Sequence, residues 1–146
     1  MDIQFLAGVV DSGSHITIVS KDHRFTPIVR LRRSSPDHIN GLHLLIPGYR
    51  STDNHGLYWI MYQGKKAITL IGMLEPFMLT KKQHAHLILA LGDARERQKK
   101  RRGHPLTDEE FVYRTYLKRQ IRELNFKNRT ERIASPTPAG QIDWEL

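Results

Sequence analysis

No cysteine occurs anywhere in the 146 residues, which excludes disulfides and thiolate-bound metal and is the usage expected in a reducing compartment. No apolar run approaches the roughly 20 residues that a membrane-spanning helix needs. The opening MDIQFLAG lacks the basic leader and long apolar core of a secretion signal. Acid is scarce as well: 15 Asp and Glu stand against 23 Lys and Arg, a formal net charge of +8 with a pI near 10.0. A basic excess of that size points to a polyanionic partner, most often nucleic acid. The expected location is the cytoplasm, in association with that partner and with no membrane. Eight histidines are present, but they show no ligand spacing: His84 and His86 fall two apart on a helix and face different ways. No Ser-His-Asp grouping, phosphate loop or cofactor fingerprint occurs, so neither a cofactor nor a bound metal is expected.

With 39% hydrophobic and 26% charged residues, the composition suits one globular α+β domain. Residues 3 to 12 are spaced as a helix of about three turns. Phe5, Leu6, Val9 and Val10 fall on one side, predicted to face the core; Gln4, Ala7, Gly8 and Asp11 fall on the other. That second side is nearly flat, and Gly inside a helix costs about 0.5–1 kcal/mol against Ala, so close approach of another backbone is its expected purpose. Gly13 is the expected left-handed stop. Residues 15 to 21 and 26 to 33 alternate as two strands around a turn at 22–24. His15, Thr17, Val19 and Lys21 oppose Ile16 and Ile18, while Thr26, Ile28, Arg30 and Arg32 oppose Val29 and Leu31.

Ser35-Pro36 opens a helix over roughly 36–45. A second hairpin follows, GYRST and LYWIMYQ around a turn at 53–56. Its outward residues are expected to be Ser51, Asp53, Tyr58 and Ile60. Helices follow at 65–75, interrupted by Pro76, and at 81–91. The order is αββαββα. Six of the eight residues from Arg95 to Arg102 are basic. Thr107 and Glu110 make a capping box for a helix over 107–124, and the tail from Asn125 is expected to be extended or loosely docked, anchored by Trp144. The division expected is 1–95 as the core and 96–146 as a basic extension.

FLAGVVDSGSHITI resembles the signature of the LAGLIDADG homing endonucleases. YWIMYQGKKAITLIGMLEPFMLTKKQHAHLILAL is similar to that family's second hairpin, the helix after it, the Leu-x-Pro-Phe-Leu turn and the Lys-rich start of the next helix. The resemblance covers about residues 3–95 and includes the element order. It implies a saddle-shaped antiparallel sheet lying along a DNA major groove. It also implies a pair of signature helices packed on a two-fold axis. With one signature in the chain, that means a homodimer joined through Gln4, Ala7, Gly8 and Asp11 on a long pseudo-palindromic site.

In active members, an acid near the end of each signature helix binds Mg²⁺ for phosphodiester hydrolysis. Here that position is Gly13, and the following glycine is Ser14. Asp11, about 200° round the helix from Gly13, is expected to face the partner helix. Of the catalytic surroundings, Lys81 and Arg33 remain as basic positions. The resemblance therefore implies duplex binding without efficient cleavage, as in a DNA-binding regulator or repressor. Two alternatives stay open: an active endonuclease using Mg²⁺ through a displaced acid, Asp11 or Asp22, and an intron RNA maturase, with an organelle as location if the gene is intron-borne. The expected base contacts are the outward hairpin residues, Arg30 and Arg32 foremost. Lys81, Arg33, Lys99, Lys100, Arg101 and Arg102, with Arg114, Lys118, Arg119 and Arg122, are assigned to phosphate.

Overall fold

A computed structural model describes residues 1–134; the expectations for Trp144 and for 135–146 lie outside the described residues. The first helix, α1 (Ile3–Gly13), starts where the Asp2 carboxylate accepts the Phe5 N–H at 2.7 Å, a side-chain cap on an otherwise orphaned amide. It runs directly into β1 (Ser14–Lys21). Gly13 is not left-handed; it is the last helical residue, and the turn into the strand is made by Ser14, whose hydroxyl donates to the Val10 carbonyl. Between β1 and β2 (Arg24–Arg33) the chain reverses at Asp22 and His23, both at positive φ, the two-residue turn whose twist matches paired strands.

Ser35 caps α2 (Pro36–Leu45). The second hairpin, β3 (Tyr49–Thr52) and β4 (Tyr58–Gln63), is followed by α3 (Lys65–Leu74) and a single 3₁₀ turn at Glu75–Phe77 that contains Pro76. Two longer helices complete the chain, α4 (Lys82–Lys99) and α5 (Asp108–Ala134). Both exceed their sequence estimates. Helix α4 carries straight through position 95 and takes up most of the basic run, and α5 continues ten residues past Leu124 instead of ending in an extended tail.

The strands form one antiparallel sheet in the order β1-β2-β4-β3. Strand alternation divides it into two faces. Ile16, Ile18, Phe25, Val29, Leu31, Ile60 and Tyr62 point to the helices and are buried. Leu117 and Ile121 of α5 belong to the same core as Leu6, Leu42, Leu70 and Ile88, so the fifth helix is folded onto the sheet and not appended to it. Tyr62 places its hydroxyl on the carbonyls of Leu42 and Ile46; burial pushes that phenol's pKa upward.

Candidate nucleic-acid interface

The face of the sheet turned away from the helices is organised by cross-strand register. His15, Arg30, Met61 and Tyr49 form one row; Thr17, Ile28 and Gln63 a second; Arg32, Trp59 and Ser51 a third; Val19 pairs with Thr26 and Lys21 with Arg24. These rows bring together the outward residues expected of the first hairpin. The second hairpin departs from expectation. Ile60 is fully buried and Tyr58 shares its side of the sheet, so the outward-facing residues of β4 are Trp59, Met61 and Gln63. Both parities of YWIMYQ are apolar or aromatic, so alternation alone could not choose between them. Only pairing with β2 decides it, through Arg32 opposite Trp59.

Asp53 sits in the turn beside that pair and has both carboxylate oxygens occupied. Oδ1 accepts the N–H groups of His55 and Leu57 at 2.9 and 3.0 Å, and Oδ2 accepts Trp59 Nε1 at 3.1 Å. The Arg32 guanidinium lies 2.9 Å from Oδ2 and 5.3 Å from the Trp59 ring centroid. Burial would raise this carboxyl's pKa, but the donors and the adjacent guanidinium draw it down to about 2. Asp53 therefore remains ionised above acid pH. It holds Arg32 in one orientation instead of being available to a base itself.

At the signature helix the structure reverses three assignments, since Phe5, expected to face the core, is exposed. Ala7 and Asp11 are not on the outer side: both are buried in their own subunit. The exposed stripe is Gln4, Phe5, Gly8 and Ser12. A Cβ added at Gly8 would meet nothing within 4 Å, so nothing within the subunit requires glycine there. The Asp11 carboxylate turns inward and accepts the N–H groups of Leu79, Thr80 and Lys81 at 3.0, 2.9 and 2.7 Å, capping the approach to α4. Burial would raise the Asp11 pKa, but these three donors and the Lys81 charge bring it below the ordinary value.

Lys81 is itself buried, with Nζ 3.4 Å from the Asp11 carbonyl oxygen. Arg33 lies on the helix side of β2, opposite in parity to Arg32. Its Nη2 donates to the Val9 carbonyl at 3.1 Å.

Comparison of the sequence with protein-family models and with curated proteins gives no match. Comparison of the structure does. The homing endonuclease I-CvuI, solved in complex with its target in the presence of calcium, superposes with a TM-score of 0.63 at 20% identity, over 84% of this chain and 80% of that one. The archaeal intron-encoded homing endonuclease I-Vdi141I, complexed with DNA, gives a TM-score of 0.67 at 11% identity, over 83% and 82%. The LAGLIDADG meganuclease I-AabMI, bound to uncleaved DNA, gives 0.62 at 17% identity; 81% of this chain covers 44% of that one.

The chain has the LAGLIDADG homing-endonuclease fold.

The divalent ion associated with that fold does not fit the residues present. Gly13 supplies no ligand, both oxygens of Asp11 are engaged by backbone amides, and the end of α1 carries the cations Arg33 and Lys81. A hard divalent ion needs anionic oxygen. Among the described residues no group of three or more His, Cys, Asp or Glu comes together. Asp22 cannot stand in for the acid. It occupies the hairpin turn at the far end of β1, eight strand residues and roughly 25 Å away at about 3.3 Å per residue.

The remaining basic residues lie elsewhere on the LAGLIDADG fold. Arg95, Gln98, Lys99, Arg101, Arg102, Gly103 and Arg114 line an open recess of about 400 Å³ where α4 meets α5. Arg114 is buried there, with Nη2 on the Ala94 carbonyl at 3.1 Å. Lys118 donates to Ser20 at 2.6 Å, tying α5 to β1. No helix among the described residues is long and apolar enough to cross a membrane.

Proposed function

We propose that this chain is a homodimeric, sequence-specific double-stranded DNA-binding protein that holds its site without efficient cleavage, as a regulator or repressor does. The observation that carries the reading is the end of α1. A glycine stands at the acid position of a LAGLIDADG fold, with Arg33 against it and no free carboxylate beside it. The open sheet face supports DNA as partner, because it sets His15, Arg30 and Arg32 in adjacent rows. A guanidinium can read guanine through two hydrogen bonds. The homodimer is supported by the exposed Gly8 stripe.

Selection from random duplex DNA, followed by incubation with Mg²⁺ or Mn²⁺, tests the proposal. The expected result is enrichment of a long pseudo-palindromic site that stays intact. Efficient cutting of that site, or a preference for structured RNA over duplex at equal salt, overturns it. If each dimer neutralises about six phosphates, affinity falls about a thousandfold between roughly 50 and 200 mM salt.

Asp53→Asn checks the base-reading role of Arg32. Releasing that guanidinium from its carboxylate is expected to flatten base preference at one position of each half-site by about 1–3 kcal/mol. Binding to non-specific duplex should change little. A repeat of the selection reads the outcome, and an unchanged logo would remove Arg32 from the reading set.

A further inference from the structure

Loss of the acid at position 13 would by itself leave a notch at the end of α1, and that notch is filled. A Cβ built on Gly13 would lie 2.6 and 2.7 Å from Nη1 and Cζ of Arg33, and closer still to Nη2. The guanidinium is fixed there by its hydrogen bond to the carbonyl of Val9, four residues before Gly13 in the last turn of the helix. Helix C-termini attract cations, because the terminal carbonyls carry partial negative charge. No basic residue of α1 itself meets that demand. Arg33 from β2 and Lys81 from the α4 approach meet it instead, on Val9 and Asp11.

We propose that Arg33 is a built-in cation in the place of a divalent ion. Its guanidinium occupies the volume into which an acid at position 13 would project. It gives this end of α1 a fixed positive charge with no metal required, one that adds to the basic field met by duplex phosphate, and it would neutralise an acid restored there. The phosphate-facing part rests on the DNA-binding reading above; the occupied volume and the neutralisation do not. Regaining a metal site therefore takes two changes, an acid at 13 and removal of the Arg33 charge.

The introduced carboxyl can be read directly, without DNA. In Gly13→Asp, followed by carbon NMR, it is expected to titrate at least about one pH unit below an ordinary aspartate, because an adjacent guanidinium favours the ionised form. In Gly13→Asp with Arg33→Gln it is expected to return to the ordinary range. Manganese added to both proteins should broaden resonances around position 13 in the double variant alone. A carboxyl that titrates normally beside Arg33 overturns the proposal. So does equal manganese uptake by the single and double variants, or none by the double variant.

Should Gly13→Asp fail to fold, the native protein carries the test. Its duplex affinity is expected to be the same in EDTA as in magnesium at matched ionic strength. Arg33→Gln should lower it about tenfold and reduce the salt slope by about two per dimer. A divalent requirement in the native protein overturns the proposal, as does an unchanged affinity and slope in Arg33→Gln. A native protein that binds no duplex sinks the DNA-binding reading alone; melting of Gly13→Ala against Gly13→Ala with Arg33→Gln then decides the role of Arg33, with a loss in the first that is relieved in the second expected, and equal melting of the two overturning the proposal.

Discussion

Replacing Gly8 with leucine is expected to leave the chain folded and to break the proposed homodimer. Within the subunit a side chain at this position projects into open space, and leaving Gly in a helix interior is itself unfavourable by about 0.5–1 kcal/mol relative to Ala. Gly8→Ala should therefore raise the melting temperature of the isolated subunit. Across a two-fold axis the sign reverses. A bulky insertion at a close contact costs about 1–3 kcal/mol, and an isologous interface inserts two at once. The dissociation constant of the proposed dimer should rise by roughly 30-fold to 10⁴-fold in Gly8→Leu, with Gly8→Ala in between. Sedimentation equilibrium measures this, and duplex affinity should fall in parallel, because under the proposed function a monomer would span one half-site. A Gly8→Leu protein that remains a tight dimer would place the interface elsewhere and remove the central premise of the two-fold site.

The element order was legible because apolar spacing and turn residues agree along most of the chain. Strand alternation in 15–33 is strong, since one parity is mainly Ile, Phe, Val and Leu and the other, Val19 and Ile28 apart, is His, Thr, Lys and Arg; Pro36 and Pro76 punctuate where they should. Legibility failed where both sides of an element have the same chemistry. Tyr58, Ile60 and Tyr62 compete with Trp59 and Met61, so the hydrophobic pattern fixes the period of β4 and leaves its sign to the partner strand. The run beyond Leu124 has few apolar residues but is rich in Lys, Arg, Asn and Glu, which tolerate an exposed helix. Absence of an apolar stripe did not mean absence of helix.

Burial on α1 was misjudged for a related reason. Ala7 projects little, so it suits a tight partner contact and a tight internal contact equally; the subunit's own core takes it. Phe5, the larger apolar residue, is about half exposed and meets His38 edge-on at 5.4 Å. The site's central relation could not be read from sequence spacing at all. Arg33 reaches the last turn of α1 across 24 residues because β2 extends two residues beyond the point where Leu31 pairs with Ser14. That overhang is a matter of register, and a linear pattern does not carry it. The same holds for Asp11, whose partners lie 68 to 70 residues away.

Those partners make Asp11→Ala the substitution with the largest expected effect on stability. A buried donor left without an acceptor costs about 1–3 kcal/mol, and here three amides that lead into α4 lose one carboxylate together. Water can reach part of the 79–80 segment but not the buried Lys81 amide. The net loss should be about 3–5 kcal/mol, a large fraction of the roughly 5–15 kcal/mol that holds a domain of ordinary stability. Asp11→Asn keeps one acceptor oxygen but turns its NH2 group toward at least one of the three N–H donors, so it should cost nearly as much. The effect has a defined pH dependence. The folded-state pKa of Asp11 is lowered, so its ionised form contributes above the ordinary carboxylate value near pH 4. That contribution is lost as pH falls through the folded value. Urea unfolding of native and Asp11→Ala proteins should therefore differ most at pH 7, with the gap narrowing as pH falls below about 4. A gap that stays constant with pH would mean that the three hydrogen bonds contribute through geometry alone, with the ionised charge adding nothing.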